Sequence, residues 1–292
     1  MKKFMKTDDL ARDDRFTRTA VPLDFLMAEE VTLEQVEETM TALLANDEMR
    51  EAIEKSAEAG GTNLFKRSRP EDDDAPLRMK SSMHGIFMGE MQALEAAGRS
   101  AWDFTDDDQL PWKFQLDMAR QCWDETRHVE IYSALLDHVD AEIGEFPENL
   151  FLFEFGCSND PAERVVGVNR CLEGLALDVF ADTIRFGKAA DDETIWRSVD
   201  FVAADEVTHV RFGQVWSKAL TENDPERRKK VISFQRKVDR AFSFGGTRGS
   251  YDGENMDQFL PIAIEMRKLA GFTDADIEEV AGAGPKIVKA AS

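Results

Sequence analysis

Four stretches of the chain carry apolar residues at helical spacing, and each stripe has a carboxylate at its centre. Over 80–104 the stripe is Met83, Ile86, Phe87, Leu94, Ala97 and Ala101, with Glu90 in the middle. Over 111–139 it is Phe114, Met118, Gln121, Tyr132, Leu136 and Val139, interrupted by Glu125 and His128. Over 160–188 Ala162, Val166, Asn169, Leu177, Phe180 and Ile184 flank Glu173, and over 191–220 Ile195, Val199, Val202, Gly213 and Leu220 flank Glu206 and His209. An unpaired carboxylate in an apolar core costs several kcal/mol. No lysine lies on the stripes and Arg170 sits only at the edge of one, so the expected partner is a cation from solution.

The register supports convergence. Glu90 precedes the end of its helix at Phe104 by 14 residues, and Glu125 follows Pro111 by 14. At the rise of an α-helix, about 21 Å up one helix and about 21 Å down the next returns the chain to the same level. The second pair repeats this, with 15 residues from Glu173 to Lys188 and 14 from Asp192 to Glu206. Pro111 suits a first helical turn, and Asp160, Pro161 and Glu163 have the spacing of a capped helix start. Short loops predict two antiparallel hairpins, joined by a longer connection over 140–159 that contains LFLFEF. That connectivity is the ferritin-like form of a four-helix bundle.

The two stripes that hold histidine share a pattern: DETRH at 124–128 and DEVTH at 205–209, in a chain with four histidines. In E-x-x-H the three-residue spacing sets both side chains on one helix face, where they reach a single ion. One copy is weak evidence; two copies, each 33 to 35 residues after an inward glutamate, are specific. Glu90, Glu125, His128, Glu173, Glu206 and His209 thus form a mixed oxygen and nitrogen donor set suited to two iron or manganese ions. His84 and His138 lack this context and are expected at the surface or in a satisfied core. Glu95 points about 140° away from Glu90 on a helix, which favours Glu90 as the inward residue.

With D-E-x-x-H present twice, region 80–220 resembles the ferritin-like dimetal carboxylate proteins, which include bacterial multicomponent monooxygenases, ribonucleotide reductase small subunits, rubrerythrins and tRNA hydroxylases. LEGLALDVF and DEVTHVRFG look similar to a bacterial branch related to the tRNA hydroxylases. The resemblance implies that the six residues are metal ligands. It also implies that Asp124 and Asp205 each orient a ligand histidine, often the one on the opposite hairpin, fixing its tautomer and raising its basicity. Tyr132, four residues after His128, has a spacing similar to the radical tyrosine of the reductase subunits. A packed aromatic, a radical site and a substrate contact all remain open for it.

The expected fold is all-α: a ferritin-like four-helix bundle over 78–221 with helical extensions at 1–77 and 222–292. The first extension reads as a polar start, a helix within 32–59, a break at Gly60–Gly61 and an acidic linker, RPEDDDAP, at 69–76. The implied activity is that of a diiron oxidase or oxygenase with two iron ions, or manganese and iron, and O2 as co-substrate acting on a small organic molecule. Phe87, Gln121, Asn169, Phe180 and Gly213 are candidates for lining its pocket, with core packing as the alternative. Other classes are iron oxidation or peroxide detoxification, a tRNA-hydroxylase-like enzyme, and a radical-generating subunit that uses Tyr132. A net charge of −22 argues against nucleic acid as a main ligand. The basic run at 227–240 reads either as a solvated helix with one buried stripe or as a docking face for an electron donor or acidic carrier protein. No apolar run long enough to span a membrane occurs, and the three cysteines form no C-x-x-C pair, so a reduced, cytoplasmic setting is expected, with a homodimer compatible.

Overall fold

The structure, a computed structural model, describes residues 23–45, 69–105, 110–146, 150–243, 260–284 and 286–288, together with Asp47, Arg50, Glu51, Glu54 and Glu148. The polar start and the Gly60–Gly61 break lie outside these. The fold is all-α, with one short strand pair. In chain order the elements are α1 (Leu23–Leu26), β1 (Glu30–Thr32), α2 (Leu33–Leu44), α3 (Ala75–Asp103), α4 (Trp112–His138), α5 (Phe151–Gly156) and α6 (Pro161–Val165), then a π-helical segment (Val166–Leu172). After it come α7 (Glu173–Ala189), α8 (Glu193–Ala219), α9 (Pro225–Phe242), α10 (Ile264–Ala270), α11 (Asp274–Ala281) and β2 (Lys286–Val288). Among the described residues no helix is long and apolar enough to cross a membrane.

α3 pairs with α4 and α7 with α8, giving the two hairpins the apolar stripes predict. α3 begins at Ala75, earlier than the stripe alone suggests, because the acidic linker supplies its start: Arg78 pairs with Asp72 at 2.7 Å and Asp74 at 2.6 Å. Two cores fill the ends of the bundle. At one end Met83, Phe87, Tyr132, Leu135, Leu136, Phe180, Ile184, Ile195, Val199 and Val202 are buried together. At the other end Phe104, Phe114, Met118, Val165 and Trp216 close the bundle, and the Trp216 indole N–H donates to Asp117 at 3.0 Å. The acidic side chains of the stripes lie between these two apolar plugs.

The third stripe is not one continuous α-helix. Residues 166–172 form π turns, which are wider and shift the helix face. Neighbouring backbones have to come close to this segment, and glycines allow it. A Cβ on Gly167 would stand 2.3 Å from the Gly156 carbonyl oxygen on α5, and a Cβ on Gly213 of α8 would stand 2.9 Å from the Arg170 nitrogen. Gly213 is therefore a point of close helix approach, as the core-packing alternative expects.

The C-terminal elements dock on the bundle through a buried ion pair. The Arg267 guanidinium on α10 donates to both Asp178 carboxylate oxygens on α7 at 2.9 and 2.7 Å, and to the Gly174 carbonyl at 2.6 Å. Gly174 carries no side chain because a Cβ there would sit 3.0 Å from that guanidinium. Arg170 turns away from the bundle centre, pairing with Asp276 at 2.5 Å and lying over Phe272. The two extensions meet where β1 and β2 pair in parallel, Val31 opposite Ile287, a contact the sequence did not signal.

α9, the basic run, buries Val231, Gln235 and Val238. Its charges turn to acids of the same chain: Arg227 to Asp160, Lys229 to Glu226, Lys230 to Glu163, Arg236 to Glu279 and Arg240 to Glu29.

Removing one partner of a buried pair leaves a charge without compensation, at a cost of about 3–5 kcal/mol. Arg267→Ala is expected to lower unfolding stability by about that amount, read from urea denaturation followed by circular dichroism. A loss below about 1 kcal/mol would show that α10 is not anchored through Asp178.

Candidate metal centre

Four helices deliver one buried cluster. Glu90 comes from α3, Glu125 and His128 from α4, Glu173 from the first turn of α7, and Glu206 and His209 from α8. Glu90 is 5% exposed, Glu173 1%, and the other four 0%. Glu95 is half exposed and pairs with Arg99 on its own helix. Each E-x-x-H places its histidine against its own glutamate, with His128 Nδ1 2.9 Å from Glu125 and His209 Nδ1 3.0 Å from Glu206. The hairpins then cross over, since His128 Nδ1 lies 3.1 Å from Glu206 and 3.2 Å from Glu90, and His209 Nδ1 lies 3.1 Å from Glu125.

The ligating atoms fall into two overlapping groups: Glu90, Glu125, His128 and Glu206, and Glu125, Glu173, Glu206 and His209. Within each, one atom per residue lies within 4.8 Å of the others. Glu206 Oε1 is buried with no well-aligned hydrogen bond, and its near neighbour is His128 Nδ1 at 3.1 Å. These residues fit metal ions: the donors are carboxylate oxygens and imidazole nitrogens, dry, converging and short of positive charge.

The far imidazole nitrogens face aspartates across the hairpin boundary. His209 Nε2 lies 3.4 Å from Asp124 and His128 Nε2 3.4 Å from Asp205. Arg127 then joins the two aspartates, donating to Asp124 at 2.5 Å and Asp205 at 2.9 Å, while Arg120 donates to Asp124 at 2.6 Å. Burial alone would raise Asp124, but hydrogen bonds from His209, Arg127 and Arg120 outweigh it and hold its carboxyl at about 2. The two arginines were missed in the sequence because they point outward from the apolar stripe. The available signal was Arg127 inside the first motif, where the second motif has Thr208.

Gln121 and Asn169 attach to the cluster by hydrogen bonds. Gln121 Nε2 donates to Glu173 at 2.7 Å and to Glu125 at 3.1 Å, and its Oε1 accepts from Asn169 Nδ2 at 2.5 Å. At the other end Tyr132 stacks on Phe180 with ring centroids 5.9 Å apart, and its buried hydroxyl has no hydrogen-bond partner. Burial, and then the charges of Glu90 and Glu206, push the Tyr132 hydroxyl well above its usual range. Phe87 is buried in the same core. His84 is a satisfied core residue that accepts from the Gly144 N–H at 3.0 Å, and His138 pairs with Asp192 at 2.8 Å.

Within the cluster, burial and the neighbouring charges act in opposite directions on several of these groups. Burial raises Glu90 and Glu173 well above the usual carboxylate range. Burial acts upward on Glu125 and Glu206 as well, yet the neighbouring imidazoles outweigh it and lower both. Burial disfavours charge on His128 and His209, yet the surrounding carboxylates raise both. Carboxylates and imidazoles thus compensate one another's charge across the two hairpins.

Metal ions and protons compete for these atoms, so metal uptake should release protons. Apparent affinity should accordingly rise with pH. Calorimetric titration of Mn(II) or Fe(II) in buffers of different ionisation enthalpy measures the release, and binding without proton release would contradict this charge assignment.

No curated protein and no solved structure matches the chain. One sequence family does, across residues 22–278, a span that takes in all four ligand-bearing helices as well as α10. On that match the chain belongs to the family described as protein of unknown function (DUF455).

Proposed function

We propose that the cluster binds two redox-active transition-metal ions, two iron or manganese with iron, and that the protein is an O2-using oxidoreductase of the ferritin-like dimetal carboxylate superfamily. The observation that carries this reading is that Glu125 and Glu206 belong to both ligand groups, so each would be available to two neighbouring ions. Four carboxylates and two imidazoles suit iron and manganese. Bound there, such ions supply redox chemistry and Lewis acidity that amino-acid side chains lack.

The chain's residues supply the rest. Asp124 and Asp205 hold the imidazoles with Nδ1 inward, and Arg127 holds both aspartates in place. Phe87, Tyr132 and Phe180 form a dry, apolar end suited to a small organic substrate, and the Tyr132 hydroxyl is available to hydrogen-bond to a bound molecule. The C-terminal elements docked through Arg267 support an enzyme over a storage protein, because they close the outside of α7 and α8. The internal pairing of α9 favours the solvated-helix reading of the basic run over a surface for tRNA or an acidic carrier. A second reading, a radical-generating subunit, is favoured by the partnerless Tyr132 hydroxyl beside Glu90 and Glu206.

Anaerobic titration with Fe(II) should saturate at about two ions per chain. Glu125→Ala and Glu206→Ala should each lose paired binding, because each removes a ligand from both groups. Rapid mixing of the loaded protein with O2 should give a visible absorbance that rises and decays. Absence of iron binding, or continued mineralisation of many ions per chain, would overturn the oxidoreductase reading. A lasting tyrosyl signal in electron paramagnetic resonance, absent from Tyr132→Phe, would establish the second.

A further inference from the structure

The two halves of the cluster are related by the duplicated motif, yet their surroundings differ. Four residues before Glu125 stands Gln121, and four before Glu206 stands Val202. Four residues before Glu173 stands Asn169, and four before Glu90 stands Ile86. Both amides therefore gather beside the group of Glu125, Glu173, Glu206 and His209. The group of Glu90, Glu125, His128 and Glu206 has apolar counterparts and Tyr132 instead.

The orientation of the amide pair follows from acceptor chemistry. The Glu125 carboxylate only accepts hydrogen bonds, so Gln121 must turn its NH2 toward it, and the same NH2 reaches Glu173 at 2.7 Å. Its carbonyl oxygen is then left facing Asn169, which must turn its own NH2 toward Gln121. That NH2 also lies 3.5 Å from the His209 carbonyl, so the chain of amides returns to the helix that carries the histidine. Asn169 sits within the π-helical segment, next to the Gly213 backbone, and both amides are at most 1% exposed. Two ligands of one metal position, drawn from different hairpins, are thereby held in place before any ion arrives. Among the described residues no comparable amide donor touches Glu90, whose contact within the cluster is His128 at 3.2 Å.

We propose that Gln121 and Asn169 are positioning residues that make the two metal positions unequal. The position formed by Glu125, Glu173, Glu206 and His209 fills first and holds its ion more tightly, and the position beside Glu90 and Tyr132 fills second and exchanges more readily. This rests on the dimetal reading. Hydrogen-bonding partners of metal ligands typically contribute 10–100-fold in affinity, which sets the size of the expected difference.

The test is a Mn(II) titration of the full chain, followed by electron paramagnetic resonance, together with anomalous diffraction from crystals loaded with one equivalent. The expected result for the native chain is two steps, with the first ion at the Glu173 and His209 position. Gln121→Met should weaken the first step by about 10–100-fold and bring the two steps together. Asn169→Asp keeps size and shape but presents only acceptors, so it should turn the Gln121 amide over and point its oxygen at Glu125 and Glu173. It should weaken the same step while leaving the far-ultraviolet circular dichroism of the metal-free chain unchanged, which separates positioning from support of the fold. Two equal steps in the native chain, first occupancy at Glu90, or equal weakening of both positions would overturn the proposal while leaving a dimetal centre intact. No Mn(II) binding at all would remove both the proposal and the functional reading beneath it.

Discussion

Compensation of buried negative charge governs this molecule. Four glutamates reach one dry layer between two apolar plugs, where bare carboxylates are intolerable. The chain supplies two imidazoles there and keeps its guanidiniums outside, on Asp124 and Asp205. The remaining deficit is met by protons or by cations from solution. The same rule operates elsewhere in the fold, at Asp178 with Arg267 and at Asp103 with Arg164, where the chain provides its own cation. The contrast is informative, since arginine seals structural sites and is withheld from the central one.

Packing around the cluster depends on a local departure from ideal helix geometry. The wide turns of residues 166–172 push backbone toward α5 and α8, and Gly156, Gly167 and Gly213 make room for it. An alanine at Gly213 would drive a methyl group into the Asn169–Arg170 backbone. The distortion carries Asn169 one turn before Glu173, so the irregular segment and the amide relay form a single unit. π turns recur at functional sites in helical proteins, where the cost of poorer backbone geometry is offset by the placement of a side chain.

Much of this was legible in the sequence because the periodicity of apolar residues is a strong signal and acids at its centre stand out. Glu90, Glu125, His128, Glu173, Glu206 and His209 were named from spacing alone, and the structure brings them together. Glu95 fell outside the stripe by angle and is indeed exposed. Spacing could not reveal features that depend on the partner. A π turn differs from an α turn by one hydrogen-bond register, and the spacing Ala162, Val166, Asn169, Glu173, Leu177 is one that a regular α-helix would also give. Gly213 read as space because a missing side chain looks the same whether a ligand or a backbone fills the gap. Arg120 and Arg127 have the spacing of ordinary surface charges, and only the folded helices show that they meet Asp205 from the other hairpin.

The ion pair between Asp178 and Arg267 also joins residues made at different times. The helix that carries Glu173 contains a fully buried acid one turn later, and its counterion is 89 residues further along the chain. In a chain made from its N-terminus, α3, α4, α7 and α8 are synthesised before α10, so the counterion of this buried acid is the last part of the pair to be made.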